Sequence, residues 1–97
     1  MQLSSQAEHD NQSDLEFFRE FDERLSRLKE RELVTLQQIV AGDTNQVIGI
    51  SLGITSRSVE NRKAAIVGKL RVSNHTELIY SVARFETLKK YLPEIAR

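Results

Sequence analysis

Residues Thr44 to Leu70, TNQVIGISLGITSRSVENRKAAIVGKL, decide the fold of this chain. The pattern predicts two short helices joined by a tight turn. Thr44 and Thr55 each carry a side-chain oxygen that can cap the start of a helix, and Gly53 can take the left-handed conformation that ends the first one. In the second helix, apolar residues recur at spacings of seven and four, which is typical of a helix with one buried side. These residues are Val59, Ile66 and Leu70.

The opposite side of this second helix carries Arg57, Asn61 and Ala64, which we expect to face outward. Two short helices with a tight turn between them are typical of a helix-turn-helix, whose second helix enters the major groove of DNA. That groove admits an α-helix. The pattern therefore favours double-stranded DNA as a partner.

Composition limits the fold and the possible functions. The chain has 97 residues, of which 39% are hydrophobic, so it can build one compact core. No apolar run is long enough to span a bilayer, and the first residues lack the pattern of an export signal, so we expect a cytoplasmic protein with no membrane partner. Cysteine is absent and the histidines, His9 and His75, are far apart, so we predict no metal and no cofactor.

The net charge of zero hides an uneven distribution of charge. Acidic residues outnumber basic ones up to Glu32, and basic residues outnumber acidic ones after it. Positive potential is thus concentrated in the part that contains the helix pair, and nucleic acid is its natural counter-charge. The alternative is that these charges are ordinary solvated helix faces.

The remaining sequence predicts three segments. Residues 1–13 are polar and without periodicity, so we expect them to be disordered. Residues 14–26 form an amphipathic linker helix that begins at Asp14 and concentrates Phe17, Phe18 and Phe21 on or near one face. These phenylalanines either pack on the rest of the protein or meet a partner, and packing is favoured. Residues 27–97 form the DNA-binding domain.

Two more helices complete that domain. One runs from about Leu28 to Ala41, and the last runs from about His75 towards Leu92, with Asn74 or Ser73 as its cap. No segment reads as a strand, so the predicted fold is all-α. The residues expected inward in the first of these helices are Leu33, Leu36, Ile39 and Val40, and in the short helix after it Val47, Ile48 and Leu52.

The segment from Leu28 to Leu78 resembles the C-terminal DNA-binding domain of the LuxR/FixJ family, the output module of many bacterial response regulators. The resemblance implies an all-α, four-helix LuxR/FixJ-type helix-turn-helix bundle, here preceded by an additional amphipathic N-terminal helix. It rests on Arg31-Glu32, Gly42, Thr44-Asn45, Ile48, Leu52, Ile54-Thr55, Ser58-Val59, Lys69-Leu70 and Glu77-Leu78.

The resemblance implies a sequence-specific DNA-binding transcriptional regulator that acts as a homodimer, with the third helix of the domain in the major groove. By their chemistry, Arg57 can pair with guanine, Asn61 with adenine, and Glu60 can accept a hydrogen bond from cytosine. The base-contacting set is Arg57, Glu60, Asn61 and Ala64. The phosphate-contacting set is Thr44, Asn45, Thr55, Ser58, Arg62, Lys63 and Lys69. The set expected at a dimer interface, which could instead close the monomer core, is Leu78, Val82, Phe85 and Leu88.

Three other residues are notable in the light of this resemblance. Gly49 lies where the helix pair must cross closely, which requires a small side chain. Glu32 is expected to brace the helix pair through an arginine partner. Ile50 places an apolar side chain where the family normally has a charged one, and it is either a partner surface or an isolated exposed residue.

Two other functions remain open. The chain has no nucleophile beside a base, no glycine-rich phosphate loop and no zinc-protease motif, so we expect no catalytic residues and no enzyme. One alternative is a protein-protein interaction module of the same fold without DNA binding, whose partner would be a regulator protein or RNA polymerase. The other is a module like the fourth region of sigma factors, a partner of RNA polymerase. Whether a receiver domain precedes this segment is also left open.

Overall fold

The computed structural model describes residues 2–91 of the chain, with side chains from residue 13 onward. The described part contains five α-helices and no strand, so the predicted all-α fold is confirmed. None of these helices is long and apolar enough to cross a membrane. The helices are α1 (Gln2–Ser26), α2 (Glu30–Val40), α3 (Asn45–Leu52), α4 (Ser56–Leu70) and α5 (His75–Tyr91).

The first helix is longer than the sequence predicted. It begins at Gln2, so the described residues of the segment expected to be disordered continue the helix, while Met1 lies outside the described residues. The segment contains no glycine or proline, and its glutamine, alanine and glutamate residues favour a helix even without an apolar face. Asp14, the expected cap, lies inside α1 instead.

The core of the protein is built by all five helices. Helix α4 lies at the centre and packs against each of the other four helices, and three of the most deeply buried side chains, Val59, Ile66 and Leu70, belong to it. The buried hydrophobic residues are Phe18, Phe21, Leu28, Leu36, Ile39, Ile48, Val59, Ile66, Leu70, Leu78, Val82 and Phe85.

Helix α1 is fastened to α5 by aromatic and charged contacts. The rings of Phe18 and Phe85 stack with their centroids 4.7 Å apart. Arg84 donates to the Asp14 carboxylate over 2.7 Å, and its guanidinium lies 4.1 Å from the ring centroid of Phe17. These five residues form what we call the α1–α5 clamp. Packing of the phenylalanine-rich helix on the rest of the protein is therefore confirmed, whereas its role as a linker stays a prediction.

The clamp changes the interpretation of the predicted dimer interface. Leu78, Val82 and Phe85 are only 0%, 9% and 4% exposed, because α1 covers this face of α5. These three side chains therefore close the core of the chain itself, which is the alternative that the sequence left open. Leu88 is half-buried and packs against the same core.

Helix α2 buries a face that is rotated from the one predicted, although Leu36 and Ile39 are buried as expected. Leu33 and Val40 are 38% and 40% exposed, whereas the polar residues Glu32 and Thr35 are buried beside Leu36. The inward face is rotated because α4 presents cations to these two polar side chains, as described below. Leu33 and Val40 instead line an apolar groove between α2, α1 and α5.

Candidate nucleic-acid interface

The helix pair α3–α4 begins and turns where the sequence predicted. Thr44 Oγ1 accepts the backbone N–H of Val47 over 3.2 Å, and Thr55 Oγ1 accepts that of Ser58 over 3.0 Å. Gly53 follows α3 with a φ of 70°, in the left-handed region. Both caps and the left-handed stop are therefore confirmed, and they fix where α4 leaves the turn.

The crossing of α3 and α4 is closer than the sequence suggested. A Cβ atom on Gly49 would lie 2.6 Å from the carbonyl oxygen of Ile54, which is shorter than a carbon and an oxygen tolerate. The backbone N–H of Ile54 also donates to the carbonyl oxygen of Gly49 over 2.9 Å. The position therefore requires glycine, and a small side chain such as alanine does not fit without movement.

The inner side of α4 anchors the helix. Val59, Ile66 and Leu70 are each 0% exposed, as the spacing of seven and four predicted. Burial of three such side chains contributes several kcal/mol, at about 1.5 to 3 kcal/mol each. The orientation of α4 about its own axis is therefore fixed, and its opposite side must face solvent.

That opposite side is exposed and polar. Arg57, Glu60, Asn61 and Ala64 all lie in solvent, and we call these four residues the reading face. Among residues 13–91, none of these side chains takes part in a hydrogen bond or an ion pair within the chain. The polar groups of the reading face are thus free to contact another molecule.

One edge of α4 faces α2 and is tied to it. Arg62 Nη1 donates to Thr35 Oγ1 over 3.4 Å, and Thr35 in turn donates to the carbonyl oxygen of Arg31 over 2.8 Å. Thr35 is completely buried. Its hydroxyl is therefore satisfied on both sides, and Arg62 is held half-buried across the surface of α2.

An ion pair between an exposed lysine and a buried carboxylate also connects this edge of α4 to α2. Lys69 Nζ donates to Glu32 Oε1 over 2.8 Å, and the backbone N–H of Lys29 donates to the same oxygen over 2.8 Å. The hydrogen bond from Lys69, followed by that from Lys29, lowers the pKa of the Glu32 carboxyl below its ordinary value of 4.5, although burial alone would raise it. Glu32 thus braces α2 against α4, as expected.

The partner of Glu32 differs from the one expected. The sequence suggested an arginine, but Arg31 is exposed and Lys69 occupies the place. Lys69 is also a predicted phosphate contact, and that role stays a prediction because its side chain is 37% exposed although it is paired with Glu32. A signal for this pairing was present, because Arg62 and Lys69 are seven residues apart on one edge of α4, opposite two polar residues on the inward face of α2.

The other predicted phosphate contacts are spread around the start of the helix pair. Thr44, Thr55 and Ser58 are exposed, and the Thr55 hydroxyl donates to Ser58 Oγ over 3.0 Å. Asn45 and Lys63 are half-buried. Ser58 lies on the α2 edge with Arg62 and Lys69, whereas the helical repeat places Lys63 on the opposite edge.

The sequence analysis identified Ile50 on α3 but did not predict that Val47 is exposed as well. Val47, expected inward, is 49% exposed, and Ile50 is 77% exposed one turn later. Gln38 reaches across from α2, and its Nε2 donates to Ser51 Oγ over 3.1 Å.

The geometry defines the class of protein. Two short helices cross closely at a glycine, and the second helix buries one side in the core while its opposite side exposes polar side chains that have no partner within residues 13–91. This arrangement is typical of a helix-turn-helix DNA-binding domain. Residues 26–82 match the family model "Bacterial regulatory proteins, luxR family", and this chain belongs to that family. Most of α1 and the end of α5 lie outside the matched residues.

One curated relative places the domain in a larger protein. Transcriptional regulatory protein TdiR from Thauera aromatica is 33% identical over 60 residues, which is 62% of this chain and 26% of TdiR. The match therefore spans about a quarter of that relative. No solved structure matches the chain significantly.

Proposed function

We propose that this chain is a sequence-specific regulator of transcription that inserts α4 into the major groove of double-stranded DNA. The observation that carries the proposal is the reading face, which is exposed and whose polar groups lack partners within residues 13–91. Polar side chains at that place on an anchored helix are the groups with which such domains contact bases.

The chemistry of the reading face fits direct contact with base edges. Arg57 can donate two hydrogen bonds to guanine, Asn61 can pair with adenine through two hydrogen bonds, and Ala64 can contact a thymine methyl group. Thr44, Thr55, Ser58 and Lys63 lie around this face and can position the domain on phosphates. Because Arg62 and Lys69 are engaged by α2, their contribution to phosphate binding is smaller than the sequence suggested.

We propose dimerisation through the outer face of α5 rather than through its buried face. The outer face between Thr76 and Thr87 includes Tyr80 at 65% exposure and the exposed Ala83, and the ion pair of Arg84 with Asp14 lies at its edge. A two-fold pair of such faces would place two copies of α4 on successive half-sites. Sedimentation of Ala83→Glu beside the unchanged chain tests this, because a carboxylate at the centre of such an interface should leave only monomers.

The experiment that tests DNA binding is a selection followed by a salt titration. A pool of random duplexes should yield an enriched sequence, and log affinity for it should fall with log salt by about 0.9 for each phosphate neutralised. The enriched duplex should also bind more tightly than unselected duplex at every salt concentration. If no sequence is enriched and no salt-dependent binding occurs, the proposal fails.

A protein partner is the second candidate. The apolar groove lined by Leu33, Leu36, Val40 and Val82, together with exposed Ile50, favours contact with a regulator protein or RNA polymerase. Such a module, including one similar to the fourth region of sigma factors, would co-purify with its protein partner. Binding to that partner without any DNA shift at low salt would favour this function over the first.

Because chromosomal DNA is the partner in the first proposal, we place the protein in the cytoplasm.

A further inference from the structure

Glu60 is a carboxylate without a cation on a face that we propose meets DNA. The carboxylates of Glu32 and Asp14, which lie closer to the core, pair with Lys69 and Arg84 at 2.8 Å and 2.7 Å. Glu60 takes part in none of the ion pairs of residues 13–91 and is exposed. Its charge is therefore not neutralised inside the chain.

Exposed carboxylates such as Glu30 and Glu86 also take part in none of these ion pairs, but Glu60 is the carboxylate of the reading face. Arg57 lies three residues before Glu60 and Lys63 three residues after it, which is a spacing at which helical ion pairs form. Glu60 nevertheless pairs with neither. A carboxylate that approaches DNA is repelled by phosphates and loses water, so it is tolerated only where a hydrogen-bond donor meets it.

The major groove offers few such donors. Guanine presents two acceptors and thymine presents one acceptor and a methyl group, so both reject a carboxylate. Adenine presents its amino group beside an acceptor, whereas cytosine presents its N4 amino group without one. We infer that Glu60 determines specificity by selecting cytosine at the base it faces, an inference that rests on the proposed function.

The consequence is a reading face that gains specificity at the expense of affinity. Arg57 and Glu60 contribute opposite charges, and Asn61 and Ala64 contribute none, so the face has no net charge. Non-specific attraction to phosphates must then come from residues around it. Replacement of Glu60 should consequently relax base choice at one position while it strengthens binding to other sequences.

The test compares base choice by the full chain and two variants. Selection from random duplexes should give the unchanged chain a position that is almost always cytosine. Glu60→Gln should prefer adenine at that position, because glutamine can pair with adenine N6 and N7. Glu60→Ala should show no preference there and should keep the preferences set by Arg57 and Asn61. Glu16→Gln, at an exposed position of α1, removes the same charge elsewhere and should leave base choice unchanged.

A chemical probe tests the contact itself. N4-methylcytosine keeps its pairing with guanine but replaces the amino hydrogen that points into the major groove. Placed at the selected position, it should weaken binding of the unchanged chain by about 5- to 150-fold, the range for one lost base contact. Binding of Glu60→Ala should not change. Both variants should unfold at the same urea concentration as the unchanged chain, because Glu60 is exposed.

Three results would overturn the inference. If Glu60→Ala selects the same base as the unchanged chain, Glu60 does not determine specificity although DNA binding stands. If Glu60→Ala binds all duplexes more tightly by one common factor, the carboxylate only repels phosphates. If the unchanged chain binds no duplex at low salt, the proposed function fails and the inference fails with it.

Discussion

The α1–α5 clamp and the reading face of α4 each contain an arginine and a carboxylate, but these groups are paired within the chain only in the clamp. In the clamp, Arg84 is held between Asp14 and the ring of Phe17. On the reading face, Arg57 and Glu60 lack any such partner within the described part of the chain. Residue type alone therefore does not distinguish a structural charge from a functional one. The difference lies in whether a neighbouring helix supplies the counter-charge.

The largest expected effect follows from loss of the aromatic side chains that fix α1. Phe21 is 1% exposed and lies 5.6 Å from Phe85 between ring centroids. Phe21→Ala should lower the free energy of unfolding by about 3 to 5 kcal/mol because it leaves a cavity. Urea unfolding followed by circular dichroism measures this. Tyr80→Ala, at a site that is 65% exposed, is the control and should change stability by less than about 0.5 kcal/mol. If the two changes lower the free energy of unfolding equally, α1 does not contribute to the core.

The second effect concerns Lys69, which the sequence predicts as a phosphate contact and which pairs with Glu32 in the structure. Lys69→Met leaves the Glu32 carboxylate buried without its cation, and it should cost about 1.5 to 3 kcal/mol of stability. Lys63→Met, on the other edge of α4, is the control and should cost little. Urea unfolding at pH 7 measures both.

The same ion pair sets a pH dependence. The pKa of Glu32 is lower in the folded chain than its ordinary 4.5, so its contribution to stability is present above that pH. It is lost as the pH falls below 4.5 towards the lowered pKa. Unfolding measured from pH 6 to pH 3 should show this loss in the unchanged chain, and Lys69→Met should reduce it. An identical acid dependence in both would mean that Lys69 does not hold Glu32.

A third prediction separates two glycines of the helix pair. Gly49→Ala should destabilise the chain by about 1 to 3 kcal/mol, because its Cβ would lie 2.6 Å from the Ile54 carbonyl oxygen. Gly68→Ala should stabilise it by up to about 1 kcal/mol, because nothing lies within 4 Å of a Cβ atom there and alanine favours a helix. Thermal unfolding of both variants measures the difference. A Gly49→Ala chain as stable as the original would mean that α3 and α4 cross less closely.

The smallest expected effects concern two arginines, Arg84 in the clamp and Arg57 on the reading face. Arg84→Ala should cost about 1 kcal/mol of stability, because its ion pair and ring contact are partly exposed, and should leave base choice unchanged. Arg57→Ala should leave stability within about 0.5 kcal/mol and remove about 1 kcal/mol or more of discrimination for the selected duplex. Unfolding titrations measure the stability of both variants, and DNA-binding titrations measure their discrimination between duplexes. If both substitutions change only the free energy of unfolding and neither changes base choice, Arg57 has no role in DNA recognition.

Local chemistry explains what the sequence predicted correctly. Thr44, Thr55 and Asn74 each cap a helix through a hydrogen bond to a backbone N–H three residues later, so the sequence contains both partners side by side. The anchors of α4 follow from helical spacing in the same way. The exposure of the reading face was predicted on that basis, whereas its contacts with DNA stay a prediction.

Contacts between distant residues explain what the sequence did not predict. Glu32 and Lys69 are 37 positions apart, and Asp14 and Arg84 are 70 positions apart. Spacing along α4 places Arg62 and Lys69 on one edge, but it does not identify the helix that supplies their partners. In the fold Glu32 is buried while Leu33 is 38% exposed, and the phenylalanines of α1 cover the face of α5 that was expected to join two copies. Helical periodicity shows that a face is apolar but not which neighbour covers it.

The most direct test of the central claim is to map the residues that respond when the enriched duplex is added to isotope-labelled protein. If α4 enters the major groove, the largest changes in backbone amide chemical shifts lie at the reading face, with smaller changes at the capping residues Thr44 and Thr55. The α1–α5 clamp should be almost unaffected. Saturable binding with changes confined to the clamp or to the groove beside Leu33, and none between residues 56 and 69, would contradict the account.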